Sequence, residues 1–320
     1  MASTALANRF GDRLRDPTFW GDNAALIGLV LIGAAFSLLS PYFLTWGNIT
    51  ALLVSASILI VLASAQQFTI VAAGIDLSIA ANLPWSAVVF GLTYNAGWGT
   101  AAAIGAAIAA GAAVGVINGL IIARLKVNDF IATLGMLGVM SGVALIASNG
   151  QSFSVFSPFL QTLALGSLGP VRYFYLIALV VVLAAHIIFR YTAFGTHVLA
   201  TGGNRDAARN MGIAVGAMRI AVYAINGALV GVAAVLLVAR TGGADPAIAT
   251  DELLSSIAAV VLGGSSLFGG RASMLGTVAG ALVLTTLLNG FTLLQVSSFY
   301  QPIAVGIVVI AAAVLSRFQQ

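Results

Sequence analysis

The chain has no cysteine. Disulfide frameworks and thiolate metal sites are therefore excluded. Charge is almost as scarce, at 7% of 320 residues, against roughly 25% in an ordinary soluble domain. With 13 basic and 9 acidic side chains, a soluble body of this size could not cover its surface. A soluble enzyme is excluded on that ground alone. Disorder is excluded by the 60% hydrophobic content. Heptad and Gly-X-Y periods are missing, so coiled coil and collagen fall away. What remains is an all-α integral membrane protein, because a helix satisfies its own backbone groups in lipid. Lysine occurs once, at Lys126, and the remaining basic residues are arginines set singly between apolar runs. That is a membrane-topology pattern, not a nucleic-acid stripe, so no nucleic-acid partner is expected.

A bilayer core of about 30 Å takes roughly 20 apolar helical residues. Between Asp22 and Arg124 the one charged residue is Asp76. That stretch holds four spans, near Ala24–Ser40, Ile49–Ala72, Ser78–Tyr94 and Thr100–Ala123. Four more read at Phe130–Ser148, Tyr173–Phe189, Ile220–Ala239 and Leu253–Phe268. Ala272–Ser316 is long enough for two, divided by the polar Gln295-Val296-Ser297-Ser298, with Pro302 suited to a helix start. The expected count is about ten; a different folding of Ile49–Tyr94 would give eight or twelve.

An even count puts both termini on one side. Arg9, Arg13, Arg15, Arg124, Lys126, Arg190, Arg205, Arg209, Arg271 and Arg317 then fall together, which makes that side cytoplasmic. Asp245, Asp251 and Glu252 fall opposite, with Arg172 and Arg240 as exceptions to the rule. Residues 1–320 read as one transmembrane domain, with 1–23 a cytoplasmic N-terminal segment and 190–213 a cytoplasmic loop. Pro41 follows the first apolar stretch where a cleaved signal would want small residues, so the first span is read as retained.

Glycine is plentiful, and Gly111, Gly115 and Gly119 form consecutive GxxxG steps. Gly138 with Gly142, Gly227 with Gly231, and Gly276 with Gly280 repeat the spacing. Such steps let helices pack closely in lipid, within one chain or across a dimer face.

Chemistry-bearing residues are few. A phosphate-cradling loop needs Gly-Lys-[Ser/Thr], and no Gly-Lys pair exists. The chain therefore holds no ATPase of that kind, no catalytic residue is assigned, and no metal spacing appears. Asp76, in Gly74-Ile75-Asp76-Leu77-Ser78, reads as the cap of a broken helix beginning near Ser78, or as lining of a translocation path. Gln66, Gln67, Asn82, Asn118, Asn226 and Asn289 are polar groups in apolar runs. Their amides both donate and accept, which suits sugar hydroxyls and interhelical bonding alike. In the 190–213 loop, Asn204 is a helix N-cap, Asp206 favours the helix start and Gly212 the C′ position. A short helix over Arg205–Met211 follows, with Ala207, Ala208 and Met211 as a small apolar face and Arg205 and Arg209 one turn apart. It is either a plain connector or a docking knob.

These segments resemble the permease subunits of bacterial ATP-binding-cassette importers for monosaccharides, the ribose/xylose/galactofuranose type. Gly74-Ile-Asp-Leu-Ser78, Phe130-Ile-Ala-Thr-Leu-Gly135, Gly202-Gly-Asn-Arg-Asp-Ala-Ala-Arg209, and Ile257 to Gly264 with Ser266 to Arg271 are similar to that family's ordered motifs. Ala73 stands where a second glycine is common. The resemblance implies an inner-membrane subunit that binds no cofactor itself; ATP and magnesium sit on a partner cassette ATPase. It also implies a periplasmic sugar-binding protein and a second permease, either another copy or a relative. Asn204, Arg205, Asp206, Ala207, Ala208, Arg209 and Gly212 become ATPase-coupling residues. Gln66, Gln67, Asp76, Ser78, Asn82 and Asn118 become path or broken-helix residues. The alternative of another class is an ion- or proton-coupled carrier.

Overall fold

A computed structural model describes residues 17–247 and 252–317. Arg9, Arg13, Arg15 and Asp251, used above for orientation, lie outside the described residues, as does most of the 1–23 segment. The chain is built of helices α1 Pro17–Leu39, α2 Trp46–Val71, α3 Ile79–Thr93, α4 Gly99–Arg124 and α5 Asp129–Ser148. There follow α6 Pro158–Leu165, α7 Tyr173–Tyr191, α8 Ala193–Gly203, α9 Arg205–Asn210 and α10 Val215–Thr241. The series ends with α11 Glu252–Leu262, α12 Met274–Leu293 and α13 Gln301–Arg317. Two minimal β-ribbons join loops. One pairs Phe153 with Ala244 and Ser154 with Gly243; the other pairs Ser167 with Arg172 and Leu168 with Val171.

Each apolar run of the sequence contains a helix. By length and composition, 6 of the described helical stretches can cross a membrane: Trp46–Val71, Ile79–Arg124, Asp129–Ser148, Tyr173–Tyr191, Val215–Thr241 and Met274–Leu293. Ile79–Arg124 is two helices, α3 and α4, separated by a π-helical turn at Tyr94–Trp98 and packed on each other.

Local chemistry sets the helix starts. Asn128 accepts from the Phe130 N–H at 2.9 Å, and Ser273 accepts from the Gly276 N–H at 3.2 Å. Each satisfies a backbone donor that the helix itself leaves free. The centre of the bundle is the seam between α4 and α10. A β-carbon built on Gly227 would fall 2.1 Å from the Gly111 carbonyl oxygen, and one on Gly115 would fall 2.1 Å from that of Tyr223. Backbones this close leave room for hydrogen only. Gly280 meets Ala259 of α11 in the same way, and Gly276 meets Gly263 just beyond its end, whereas Gly138 and Gly142 of α5 face open space. α2 and α3 flank the seam, and α12 carries α1 and α11.

Two expectations are corrected. The span read as Leu253–Phe268 stops being helical at Leu262; Gly264 takes a φ of 79°, a left-handed conformation that ends helices. Most of the 190–213 loop is helical, as α8 and α9. Gly195 in it lies so close to α7 that a β-carbon there would sit 2.0 Å from the Ile188 carbonyl oxygen. Packing overrides propensity at that position.

Candidate functional site

The break after α2 is a defined structure. The Ala73 N–H donates to Ile70 at 2.9 Å and the Gly74 N–H to Thr69 at 2.9 Å. That pair of bonds is a Schellman end. Its left-handed residue is Ala73, with φ 55°, a conformation that costs a β-carbon-bearing residue roughly 1–2 kcal/mol. Gly74 leaves no room for a side chain, since a β-carbon there would lie 2.8 Å from both Asp129 Oδ2 and the Tyr223 hydroxyl.

Asp76 is 2% exposed. Its Oδ1 accepts from the Ser78 N–H at 2.9 Å and from the Ser78 hydroxyl at 2.6 Å. Its Oδ2 accepts from Asn226 Nδ2 on α10 at 3.0 Å. Asn118 Nδ2 on α4 donates to Ser78 Oγ at 2.9 Å. The carboxylate therefore holds the start of α3 and ties it to two other helices through uncharged donors. The Ser78 N–H belongs to the N-cap residue, which makes no side-chain cap bond of its own, so Asp76 fixes the residue before α3 and does not cap the helix N–H groups.

The other path candidates divide. Asn82 donates to the Gly111 carbonyl at 3.2 Å, and Gln67 donates to Ser265 Oγ at 3.1 Å. Asn48 and Asn289 exchange amide bonds at 3.0 and 2.8 Å, which is interhelical bonding. Gln66 is fully buried with neither amide atom bonded, and Gln67 Oε1, Asn118 Oδ1 and Asn226 Oδ1 are also unpartnered. A buried polar atom without a partner costs about 1–3 kcal/mol. Four such amides lie on α2, α4 and α10, of which Asn118 and Asn226 bond at the Asp76 break.

Sequence reading singled out Asp76 as the buried acid and missed a second. Asp129, at the first turn of α5, pairs with Arg219 of α10, and both side chains are largely buried. The Tyr223 hydroxyl lies 3.1 Å from Asp129 Oδ2 and 3.1 Å from the Ile75 carbonyl, sharing one proton between them. Thr133 Oγ1 also reaches Ile75, at 3.4 Å. The loop carrying Asp76 is thereby clamped from both sides. The available signal was the rarity of charge itself, since Asp129 and Arg219 are two of only 22 charged residues (13 + 9).

The short helix α9 stands beside this break. Asn204 Oδ1 accepts from the Asp206 and Ala207 N–H groups at 3.0 and 2.9 Å. At the other end Gly212, with φ 83°, lets Ile213 N–H reach Ala208 at 3.0 Å. Two expectations about its faces change. Ala208 is 4% exposed and packs inward; Ala207, Asn210 and Met211 form the outer surface. Arg205 and Arg209 do not act together either. Arg205 turns inward and donates to the Ala73 carbonyl at 2.6 Å, while Arg209 pairs with Asp206 at 3.4 Å in the open.

Three segments far apart in sequence meet here. A β-carbon on Gly202 would strike the Val71 carbonyl oxygen at 1.8 Å, and the Gly270 N–H donates to that same carbonyl at 2.9 Å. The end of α2, the α8–α9 corner and the Gly269-Gly270 turn thus interlock around carbonyls at a helix C-terminus, where partial negative charge favours Arg205. Among the described residues, no cluster of three His, Asp or Glu side chains could hold a metal.

The family described as branched-chain amino acid transport system / permease component matches residues 48–313. The chain belongs to that family. The permease is 37% identical over 311 residues to the ribose import permease of Escherichia coli (strain K12), covering 93% of this chain and 94% of that one. It is 35% identical over 304 residues to the D-allose transport system permease of the same strain, covering 93% and 92%. It is 34% identical over 295 residues to the L-arabinose ABC transporter permease of Azospirillum brasilense, covering 92% and 87%. No solved structure matches the permease.

Proposed function

We propose that the chain is the translocation subunit of an ATP-binding-cassette importer for a monosaccharide. It spans the bacterial inner membrane about ten times as one domain, with both termini in the cytoplasm, and catalyses nothing itself. A cassette ATPase carrying ATP and magnesium docks on α9. A periplasmic binding protein delivers the sugar, and a second permease, identical or related, completes the pore. The observation that carries this reading is the junction of α9 with the broken end of α2. A docking helix bonded through Arg205 to Ala73 moves the segment that holds Asp76, which is what coupling ATP to a path requires. The sugar class is supported by relatives that carry ribose, allose and arabinose in their names. The unpartnered amides of Gln66, Gln67, Asn118 and Asn226 are the groups that sugar hydroxyls would complete once the helices separate. Asp76 with Ser78 fixes the start of α3 beside that path.

The docking face is testable at Ala207, because its side chain points away from the bundle. Ala207→Trp should reduce co-purification of the cassette ATPase at least tenfold, with the melting temperature of the permease unchanged. Undiminished co-purification would make α9 a plain connector. Orientation has its own check, since the chain lacks native thiols. Met211→Cys, at a position 83% exposed, should be protected from an impermeant maleimide added outside, and Gln151→Cys should be labelled. The opposite labelling would invert the topology.

A further inference from the structure

The two basic residues that break the positive-inside pattern, Arg172 and Arg240, line one groove of about 300 Å³. The groove lies between the first turns of α2 and α7 and the last turn of α10. From Val215 to Thr241 is 27 residues, so by a helical rise of 1.5 Å the groove lies about 40 Å along the bundle from the α9 end. Arg172 is anchored: one guanidinium nitrogen donates to the Leu165 carbonyl at 2.7 Å, leaving the rest of its fork free. Arg240 is exposed and forms no hydrogen bond or ion pair among the described residues. The remaining walls include Thr50, Ala51, Val54 and Phe174. Beside them, Trp46 is 70% exposed at the start of α2, a position typical of the headgroup level of a bilayer.

We propose that this groove binds the phosphate of an anionic phospholipid, with an acyl chain along Ala51, Val54 and Phe174. Guanidinium groups match phosphate oxygens with paired hydrogen bonds, which no other side chain in the groove can do. Among the described residues the groove has no acidic wall residue, so its two like charges favour an anion. Helix ends set the depth at the membrane interface, and the apolar wall distinguishes a lipid from a free anion. A groove of this volume has room for roughly ten water molecules' worth of headgroup. The assignment of this end to the outer leaflet rests on the topology proposed above; the groove and its ligand chemistry do not.

The test is a thermal shift of the purified permease in detergent. Short-chain phosphatidylglycerol is titrated against short-chain phosphatidylcholine and inorganic phosphate. Phosphatidylglycerol should stabilise the wild type most, and inorganic phosphate at equal concentration should do little. Each arginine near an anionic headgroup supplies a several-fold gain, so Arg172→Gln with Arg240→Gln should weaken the response about thirtyfold. The Arg172→Lys/Arg240→Lys pair keeps charge but loses the fork, and should fall between; it serves if the glutamine variant does not fold. An equal response of wild type and both variants would overturn the proposal. So would equal protection by inorganic phosphate, or loss of binding-protein capture in the variants with the lipid response intact. A reversed topology would leave the lipid response standing, so the two readings fail separately.

Discussion

Gly227→Leu should abolish assembly of the permease. The position lies at the α4–α10 seam, where a β-carbon would sit 2.1 Å from the Gly111 carbonyl oxygen and 2.9 Å from its carbon. These are backbone atoms of another helix, so no side chain can swing aside. Accommodating even Ala requires the helices to separate by more than an ångström, and Leu requires several. Separation would also pull Asn226 from Asp76 and Tyr223 from Ile75, because both sit on the same stretch of α10. Overpacking alone costs about 1–3 kcal/mol, occasionally more, and each abandoned buried donor adds about 1–3 kcal/mol. That total rivals a whole domain's stability of roughly 5–15 kcal/mol. The measurement is the yield of monodisperse protein after membrane extraction. Gly142→Leu, facing open space on α5, is the control and should leave yield intact. Equal yields would show that the seam is not the organising contact.

Asp76→Ala should be nearly as damaging, for a different reason. It strands the Ser78 N–H, the Ser78 hydroxyl and Asn226 Nδ2, donors now served by one carboxylate. At about 1–3 kcal/mol for each unsatisfied group, the loss is several kcal/mol. Asp76→Asn should assemble. Its side-chain oxygen can keep the Ser78 bonds, and its amide can donate to Asn226 Oδ1, which has no partner at present, once the Asn226 amide turns over. Uptake by the Asp76→Asn permease should then stay within a few-fold of wild type, because the group acts as an acceptor that fixes α3. Normal assembly with uptake abolished would show that the negative charge itself works in the path.

Much of this was legible in the chain. Apolar runs located the helices because a membrane helix must be apolar over its whole length, whatever it packs against. The ends of α9 were legible because Asn204 and Gly212 act within a few residues of themselves. What could not be read was direction. Ala207 and Ala208 are identical in sequence, yet one faces out and the other packs inward. Arg205 and Arg209 share a face by spacing, but the Ala73 carbonyl, 132 positions away in the chain, turns one of them inward. The clamp of Asp129, Arg219 and Tyr223 on Ile75 is likewise a tertiary event among helices with no sequence proximity.

The central claim is that this chain forms a sugar path driven by a separate ATPase. It is tested most directly in proteoliposomes that contain the permease with its cassette ATPase and sugar-binding protein. Labelled ribose, allose and arabinose are offered in turn, with and without ATP, and with a sodium or proton gradient in place of ATP. At least one of these sugars should accumulate when ATP, the ATPase and the binding protein are all present, and omission of any one should abolish accumulation. Gradient-driven uptake by the permease alone would contradict the account and make the chain a secondary carrier.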